Sequence, residues 1–321
     1  ESHYVCNPEA ARTQAIFGPR CDLVGGLASK FDTVWNLTGT PVQNFANDMY
    51  TQAAVLHPEP FAAIGINNYE EFCRKFTYTA LRQYNPRMQP VRKIIGSTNE
   101  GLLGRVVYTD VGAIRRLEAP GLPSMRFREL PVHCTISREI RKAMDGLTEA
   151  EIVNRINGDD EVMARIWKLV GLSKVDSVVP YVGDCYKDSP IFLGCWHHEI
   201  MDTYAERFNK LGLRVQTVSG KTPSGQREEI RRAFNDGFID VLIGQMKAMG
   251  VSWNLQEASS HVIIAETHPS PSTIEQFYKR VYRRGQTQKC TVDIILGQDM
   301  VVDTALNNVR KRKEASNDKI G

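Results

Sequence analysis

Net charge is nearly absent from this chain: 40 Lys and Arg oppose 37 Asp and Glu over 321 residues, a formal +3 at pH 7. Bulk charge therefore announces no polyanionic partner, and any such partner must be read from local arrangement. Apolar runs of bilayer length are also missing; Gly237 to Leu242 and Val262 to Ala265 have the length of strands. No signal peptide opens the sequence. The seven cysteines are odd in number, scattered and never paired as C-x-x-C, which fits free thiols in a reducing compartment. Cys185, Cys195, His197 and His198 lie near one another, but read as strand or loop thiols and a helix-start histidine pair rather than a zinc site. There is no internal repeat and no low-complexity segment. No G-x-G-x-x-G follows a strand, which argues against a dinucleotide-binding enzyme. Gly220-Lys221-Thr222 imitates the end of a phosphate-binding P-loop, but that loop needs Gly at 215, where this chain has Val.

What is present is an ordinary globular composition, 42% hydrophobic and 24% charged, in a length that suits about two domains. The rear half alternates short apolar runs with helical periodicity. Strands are expected at Pro190–Gly194, Leu213–Val218, Ile239–Ile243, His261–Ala265 and Cys290–Leu296. Helices are expected at His197–Leu211, Pro223–Asn235 and Ser272–Arg284. Such alternation implies right-handed crossovers and a doubly wound parallel sheet, an α/β fold with its working residues in loops at the carboxyl ends of strands. The front half is less regular. Thr33–Leu37 reads as a buried strand entering the turn Thr38-Gly39-Thr40-Pro41, and Asp48–Leu56 reads as helical. Tyr69 to Arg128 is mixed, basic and helical in pieces; Lys142 to Val182 reads as a polar helical connector. After Gln298 a short helix is expected, ending in a solvated basic cluster, Arg310 to Lys313.

The segment Gln276 to Gln286 carries the most chemistry. As a helix it sets Gln276, Arg280 and Arg283 on one face and Ile274, Phe277, Tyr278 and Val281 on another. Ser272 and Glu275 make a capping box, and Gly285 supplies a stop. Two forked guanidinium groups one turn apart suit a polyanion such as a nucleoside triphosphate. On its own the pair would read as a solvated basic face; other motifs in register overturn that reading.

Taken together, these motifs resemble the ATPase of superfamily-two helicases, and within it the Swi/Snf family of double-stranded DNA translocases. Glu1-Ser2-His3 resembles the end of a DEAH-type box, Leu37 to Asn44 the LTGTPxxN motif, and Ser219 to Phe234 the "DGST…R…F" block. Met246 to Leu255 is similar to TxAGGxGLNL, departing from it at Met249, Ser252 and Trp253, and Gln276 to Gln286 matches QxxxRxxRxGQ. The order and spacing agree over nearly the whole chain. Trp196-His197-His198, Leu172 to Val175, Ala265-Glu266 and Pro269-Ser270-Pro271 resemble the annealing-helicase branch and its compact bacterial and phage relatives.

The resemblance implies RecA-like lobes, a partial first one and a complete second one. It divides the chain at 1–60 (end of the first lobe), 61–182 (helical insertion and linker), 183–300 (second lobe) and 301–321 (basic tail). It implies ATP and Mg²⁺ as cofactors, with no metal ligand in this stretch because the Asp of the box would precede Glu1. Glu1 would polarise the attacking water, and Arg280 and Arg283 would be arginine fingers. Gln276 and Gly250 would bind ATP, while Thr38, Gly39 and Thr40 would report nucleotide state. Lys221, Thr222, Lys247 and Asn254 would contact DNA, and Trp253 would pack between the lobes. The implied partners are ATP and double-stranded or forked DNA, acted on by a monomeric intracellular motor, in a prokaryotic or phage-infected cytoplasm or a nucleus. Because the chain opens on Glu1 and lacks a P-loop, it is expected to be part of a longer protein and to hydrolyse nothing by itself. The competing expectation is a non-hydrolysing DNA-binding module or decayed half-motor.

Overall fold

Runs of Ile, Val, Leu and Phe without charged interruption cannot leave either face in water, so they settle as central parallel strands covered on both sides. The computed structural model describes residues 1–83, 89–114, 121–135, 138–156, 160–185, 189–249 and 253–320. It divides into two units: Glu1–Leu117 with Ser270–Ser272 and Lys311–Gly321, and Glu118–Pro269 with Thr273–Arg310.

The first unit contains α1 (Ala11–Phe17), α2 (Pro58–Ala62), α3 (Tyr69–Phe76), β1 (Thr77–Arg82), β2 (Val91–Ser97) and α4 (Glu100–Arg105). Strands β1 and β2 form an antiparallel hairpin. Phe17, Phe61, Phe72, Phe76, Leu103 and Val106 fill the core. Helix α3 starts where the Asn68 side chain accepts the Glu71 amide at 2.9 Å, a standard N-cap. Thr33–Leu37 forms no regular element and pairs with no strand among the described residues. Trp35 is 79% exposed and Leu37 68%, so the expected burial is not found. The segment is held instead from its edges, by Ser2 N–H on the Leu37 carbonyl (2.8 Å) and Asn36 Nδ2 on the Gln52 carbonyl (3.0 Å).

The second unit is an α/β domain. It comprises β3 (Met125–Val132), α5 (Arg138–Met144), α6 (Glu149–Ile156), α7 (Glu161–Ser173), α8 (Val175–Cys185), β4 (Ile191–Cys195), α9 (His198–Lys210), β5 (Val215–Val218), α10 (Ser224–Asn235), β6 (Val241–Gln245), β7 (His261–Ile264), α11 (Pro271–Tyr278), β8 (Cys290–Gly297) and the first part of α12 (Val301–Ile320). Six parallel strands run in the order β3-β8-β7-β4-β6-β5, flanked by helices. The apolar strands are where their pattern placed them. Strand β3 is not legible in the sequence, because Arg126, Arg128, Glu129 and Pro131 interrupt it; as an edge strand it tolerates both charge and a proline. The supposed polar connector is four helices whose Ile152, Met163, Ile166, Trp167 and Val170 join a core with α12.

Two further departures bear on function. Helix α12 is a 20-residue helix, not a short frayed end. Its Arg310 is buried, bonding the Glu129 carboxylate at 3.2 Å and the Asn307 side chain at 3.1 Å. The arginine helix, for its part, stops at Tyr278, six residues before the expected Arg284.

Candidate functional site at the carboxyl edge of the sheet

Gly194 and Gly244 sit side by side across the β4–β6 ladder. A Cβ on Gly194 would stand 2.8 Å from the Phe277 ring, and one on Gly244 would stand 3.1 Å from it. The two glycines thus leave a hollow that admits Phe277, whose ring stacks on Phe192 at 4.0 Å between centroids. With Ile274 and Val281 also buried, this seats α11 on the sheet and fixes where its polar face lies.

Beyond Tyr278 the backbone tightens to three-residue bonds, Arg280 N–H to the Phe277 carbonyl (3.1 Å) and Val281 N–H to the Tyr278 carbonyl (2.9 Å). The carbonyls that would prolong the helix are taken elsewhere: Arg280 by the Leu255 amide (2.9 Å), Val281 by Gln286 Nε2 (3.3 Å). Gln276 therefore lies on the helix, while Arg280 and Arg283 lie on the turn after it. Arg280 Nε donates to the Gln276 carbonyl at 3.0 Å. Arg283 donates to the Trp253 carbonyl at 3.1 Å and to the Asn254 side chain. Two expected groups, Arg283 and Asn254, are thus brought together directly. Trp253 is buried in the core of the second unit itself, which replaces its expected place between lobes.

Lys221 and Thr222 lie in the loop after β5. Arg227 reaches back to the carbonyls of Thr222 (2.8 Å), Ser219 (3.1 Å) and Gly220 (3.3 Å) and so holds that loop in shape. Thr222 Oγ1 accepts the Ser219 amide at 3.0 Å, leaving the Lys221 side chain exposed. Lys247, likewise exposed, follows the neighbouring strand β6. Gly250 lies outside the described residues.

In the first unit, Glu1, His3 and Thr38 form one polar string. His3 Nδ1 is 2.8 Å from Thr38 Oγ1 and 3.2 Å from the Glu1 carboxylate. Thr38 Oγ1 also accepts the Thr40 amide at 3.1 Å. Burial pushes the His3 imidazole below its ordinary pKa, with Glu1 pulling the other way. The turn that follows is pinned by Asp48, which accepts the amides of Gln43 (2.9 Å) and Asn44 (2.7 Å). Its far side meets the end of α12: Lys313 Nζ donates to Asn44 Oδ1 at 3.1 Å and Asn317 Nδ2 to the Val42 carbonyl at 3.3 Å. Burial lowers the Lys313 ammonium to about 8, against the pull of Asp48.

Three side chains at the edge carry no assignment from sequence. Gln245 Oε1 accepts the Gly220 amide (3.2 Å) and its Nε2 donates to the Trp196 carbonyl (3.3 Å). Glu266 is buried, and its Oε2 accepts the amides of Trp196 (2.7 Å) and His197 (2.9 Å). His197 Nδ1 lies 2.7 Å from Glu266 Oε1, the protonated nitrogen donating. His197 and Glu266 stand out in the sequence only as branch features, and nothing there marks Gln245, whose partners are backbone groups.

Among the described residues no group of three or more His, Cys, Asp or Glu could hold a metal ion. The exposed or half-exposed cations, by contrast, suit phosphate oxygens.

Residues 173–285 match the family described as helicase conserved C-terminal domain. The chain is similar to the "SWI/SNF-related matrix-associated actin-dependent regulator of chromatin subfamily A-like protein 1 homolog" of Caenorhabditis elegans, 26% identical over 97% of this chain and 44% of that protein. It is similar to the "DNA annealing helicase and endonuclease ZRANB3" of Mus musculus, 24% identical over 92% of this chain and 27% of that protein. The chain thus spans less than half the length of these relatives. Among solved structures, the C-terminal part of the Fun30 ATPase domain aligns with a TM-score of 0.46 at 15% identity, covering 62% of this chain and 97% of that one.

Proposed function

We propose, on the premise that residues 173–285 are a superfamily-two helicase C-terminal lobe of the Swi/Snf kind, that the chain is the rear portion of an ATP-driven motor moving along double-stranded DNA. One observation carries this reading. The loops with Lys221, Thr222 and Lys247 leave the carboxyl ends of neighbouring strands, and the arginine turn seated on the same sheet bonds Asn254, which lies with Lys247 in the segment between β6 and β7. A DNA-contacting edge and a phosphate-sensing turn in one rigid body are what a motor lobe requires.

The roles follow from the side chains. Exposed Lys221 and Lys247 meet DNA phosphates, so binding is sequence-tolerant and weakens with salt. ATP, when bound, supplies the phosphoryl group whose transfer drives the cycle. Arg280, Arg283 and Gln276 face its phosphates, the guanidinium groups stabilising charge as it develops. To do so Arg283 exchanges the Trp253 carbonyl and Asn254 for phosphate oxygens, which releases the Asn254 side chain. Glu1 orients the attacking water, and Thr38, Gly39 and Thr40 carry the nucleotide state away from it through His3. Mg²⁺ belongs to the complete motor, and none of these side chains acts through it.

Branch resemblance favours forked DNA as the substrate, and an intracellular protein. No helix among the described residues is long and apolar enough to cross a membrane. The test is ATP hydrolysis by the full-length protein with and without duplex or forked DNA. Turnover should rise with DNA, and Arg280→Ala should lower it by about 10³-fold or more. Unchanged turnover in Arg280→Ala removes the arginine assignment. DNA binding with no turnover in the wild type supports the non-hydrolysing module instead.

A further inference from the structure

Gln245 joins two loops that no local pattern connects. The Gly220 amide donates to Gln245 Oε1 at 3.2 Å, and Gln245 Nε2 donates to the Trp196 carbonyl at 3.3 Å. The peptide that carries this carbonyl also carries the His197 N–H, which donates to Glu266 Oε2 at 2.9 Å. Three amide groups therefore stand head to tail and end on a buried carboxyl group. Such a chain polarises itself, each bond strengthening the next. The Gln245 amide has only one orientation in this chain, since one neighbour can only donate and the other can only accept.

The ends of the chain are the informative part. Gly220 immediately precedes Lys221, in the loop that Arg227 holds by three carbonyls. Glu266 lies between β7 and α11, in the segment that delivers Gln276 and the arginine turn. A shift of the Gly220 peptide alters the Gln245 bond, then the Trp196–His197 peptide, then the seat of Glu266.

We propose that Gln245 is a positioning residue that couples DNA contact at Lys221 and Thr222 to the arginine turn, through the Trp196–His197 peptide and Glu266. This rests on the motor reading above. The side chain amide is engaged at both ends by backbone groups, so its loss should uncouple the two events without removing either.

The experiment compares full-length wild type with Gln245→Leu, a half-buried strand-end position where an apolar side chain of similar size is tolerated. ATP turnover without DNA should stay within about twofold of wild type and duplex affinity within about threefold, while stimulation by saturating DNA falls by about tenfold or more. A second variant, Gly220→Pro, deletes the first N–H of the chain from an exposed loop and should also lose stimulation. Gly220→Ala keeps that N–H, adds only an ordinary contact at 3.8 Å to Gln245, and should behave as wild type. Stimulation preserved in Gln245→Leu and Gly220→Pro overturns the coupling role. Basal turnover, DNA affinity and thermal stability falling together also overturn it, since that pattern marks a merely structural residue. Wild type indifferent to DNA overturns the motor reading itself, and the coupling role with it.

Discussion

At the scale of single residues, glycine and charge carry different messages. A Cβ on Gly39 would meet nothing within 4 Å, so the fold does not demand glycine there. It is exposed in the Thr38–Pro41 turn. Gly39→Ala should therefore leave the unfolding free energy unchanged or raised by about 0.4–1 kcal/mol at most, while lowering ATP turnover. A large loss of stability would show that the glycine serves the fold. Asp293 is the opposite case. Burial alone would raise its carboxyl, but hydrogen bonds from His261, Arg128 and Tyr181 outweigh burial and bring it to about 2. Because the folded group titrates below the unfolded one, its stabilisation is complete above about pH 4 and is lost progressively as the pH falls toward 2, about 2 kcal/mol in full. Urea midpoints measured from pH 6 to pH 2.5 should fall less steeply in Asp293→Asn than in wild type. Parallel curves would contradict the assignment.

At the scale of elements, two junctions decide where functional groups go. The first is the hollow at Gly194 and Gly244 that seats Phe277. Gly194→Val should expel the ring and cost about 1–3 kcal/mol, and it should depress turnover because Arg280 follows Phe277 by less than a turn. Phe277→Leu in the same chain should restore part of that stability, so the two changes should not add in denaturant melts. The second junction is the buried pair Lys174–Asp303 at 3.0 Å, which ties the start of α12 to the turn between α7 and α8. Lys174 also donates to the Ile295 carbonyl, and Asp303 accepts the Gly297 amide. Removing one partner strands the other in the core. Lys174→Met should cost about 3–5 kcal/mol by chemical denaturation, and adding Asp303→Leu should recover a large share of it. A cost near zero for the single change would mean the pair is solvated in solution.

At the scale of the whole molecule, legibility in sequence follows the physics of burial. Strands β4, β6, β7 and β8 announce themselves because both of their faces are covered, and so do α9 and α10 with their one apolar stripe; the edge strand β5 is legible because Val215 and Val218 keep their apolar character without a charged interruption. Strand β3 hides because an edge relaxes the apolar pattern. The arginine helix reads too long because its periodicity continues past Tyr278, while its carbonyls are claimed by Leu255 and Gln286, residues whose nearness no local pattern reveals. Thr33–Leu37 has the composition of a strand, but a strand needs a neighbour, and composition cannot supply one. The basic end of α12 reads as solvated because Arg310 to Lys313 are charged, yet Arg310 and Lys313 find partners distant in sequence. The candidate DNA and nucleotide groups are legible as types in order. The Gln245–Glu266 connection is not, because it runs through backbone amides, which every residue has.

In the proposed motor, the carboxyl edge of this sheet would convert nucleotide turnover into movement along a duplex. That conversion is tested most directly by the full-length protein's displacement of a third strand from a triplex, with the duplex left intact. Displacement should require ATP hydrolysis and be lost in Arg280→Ala. DNA-stimulated hydrolysis that never dislodges the third strand would contradict it.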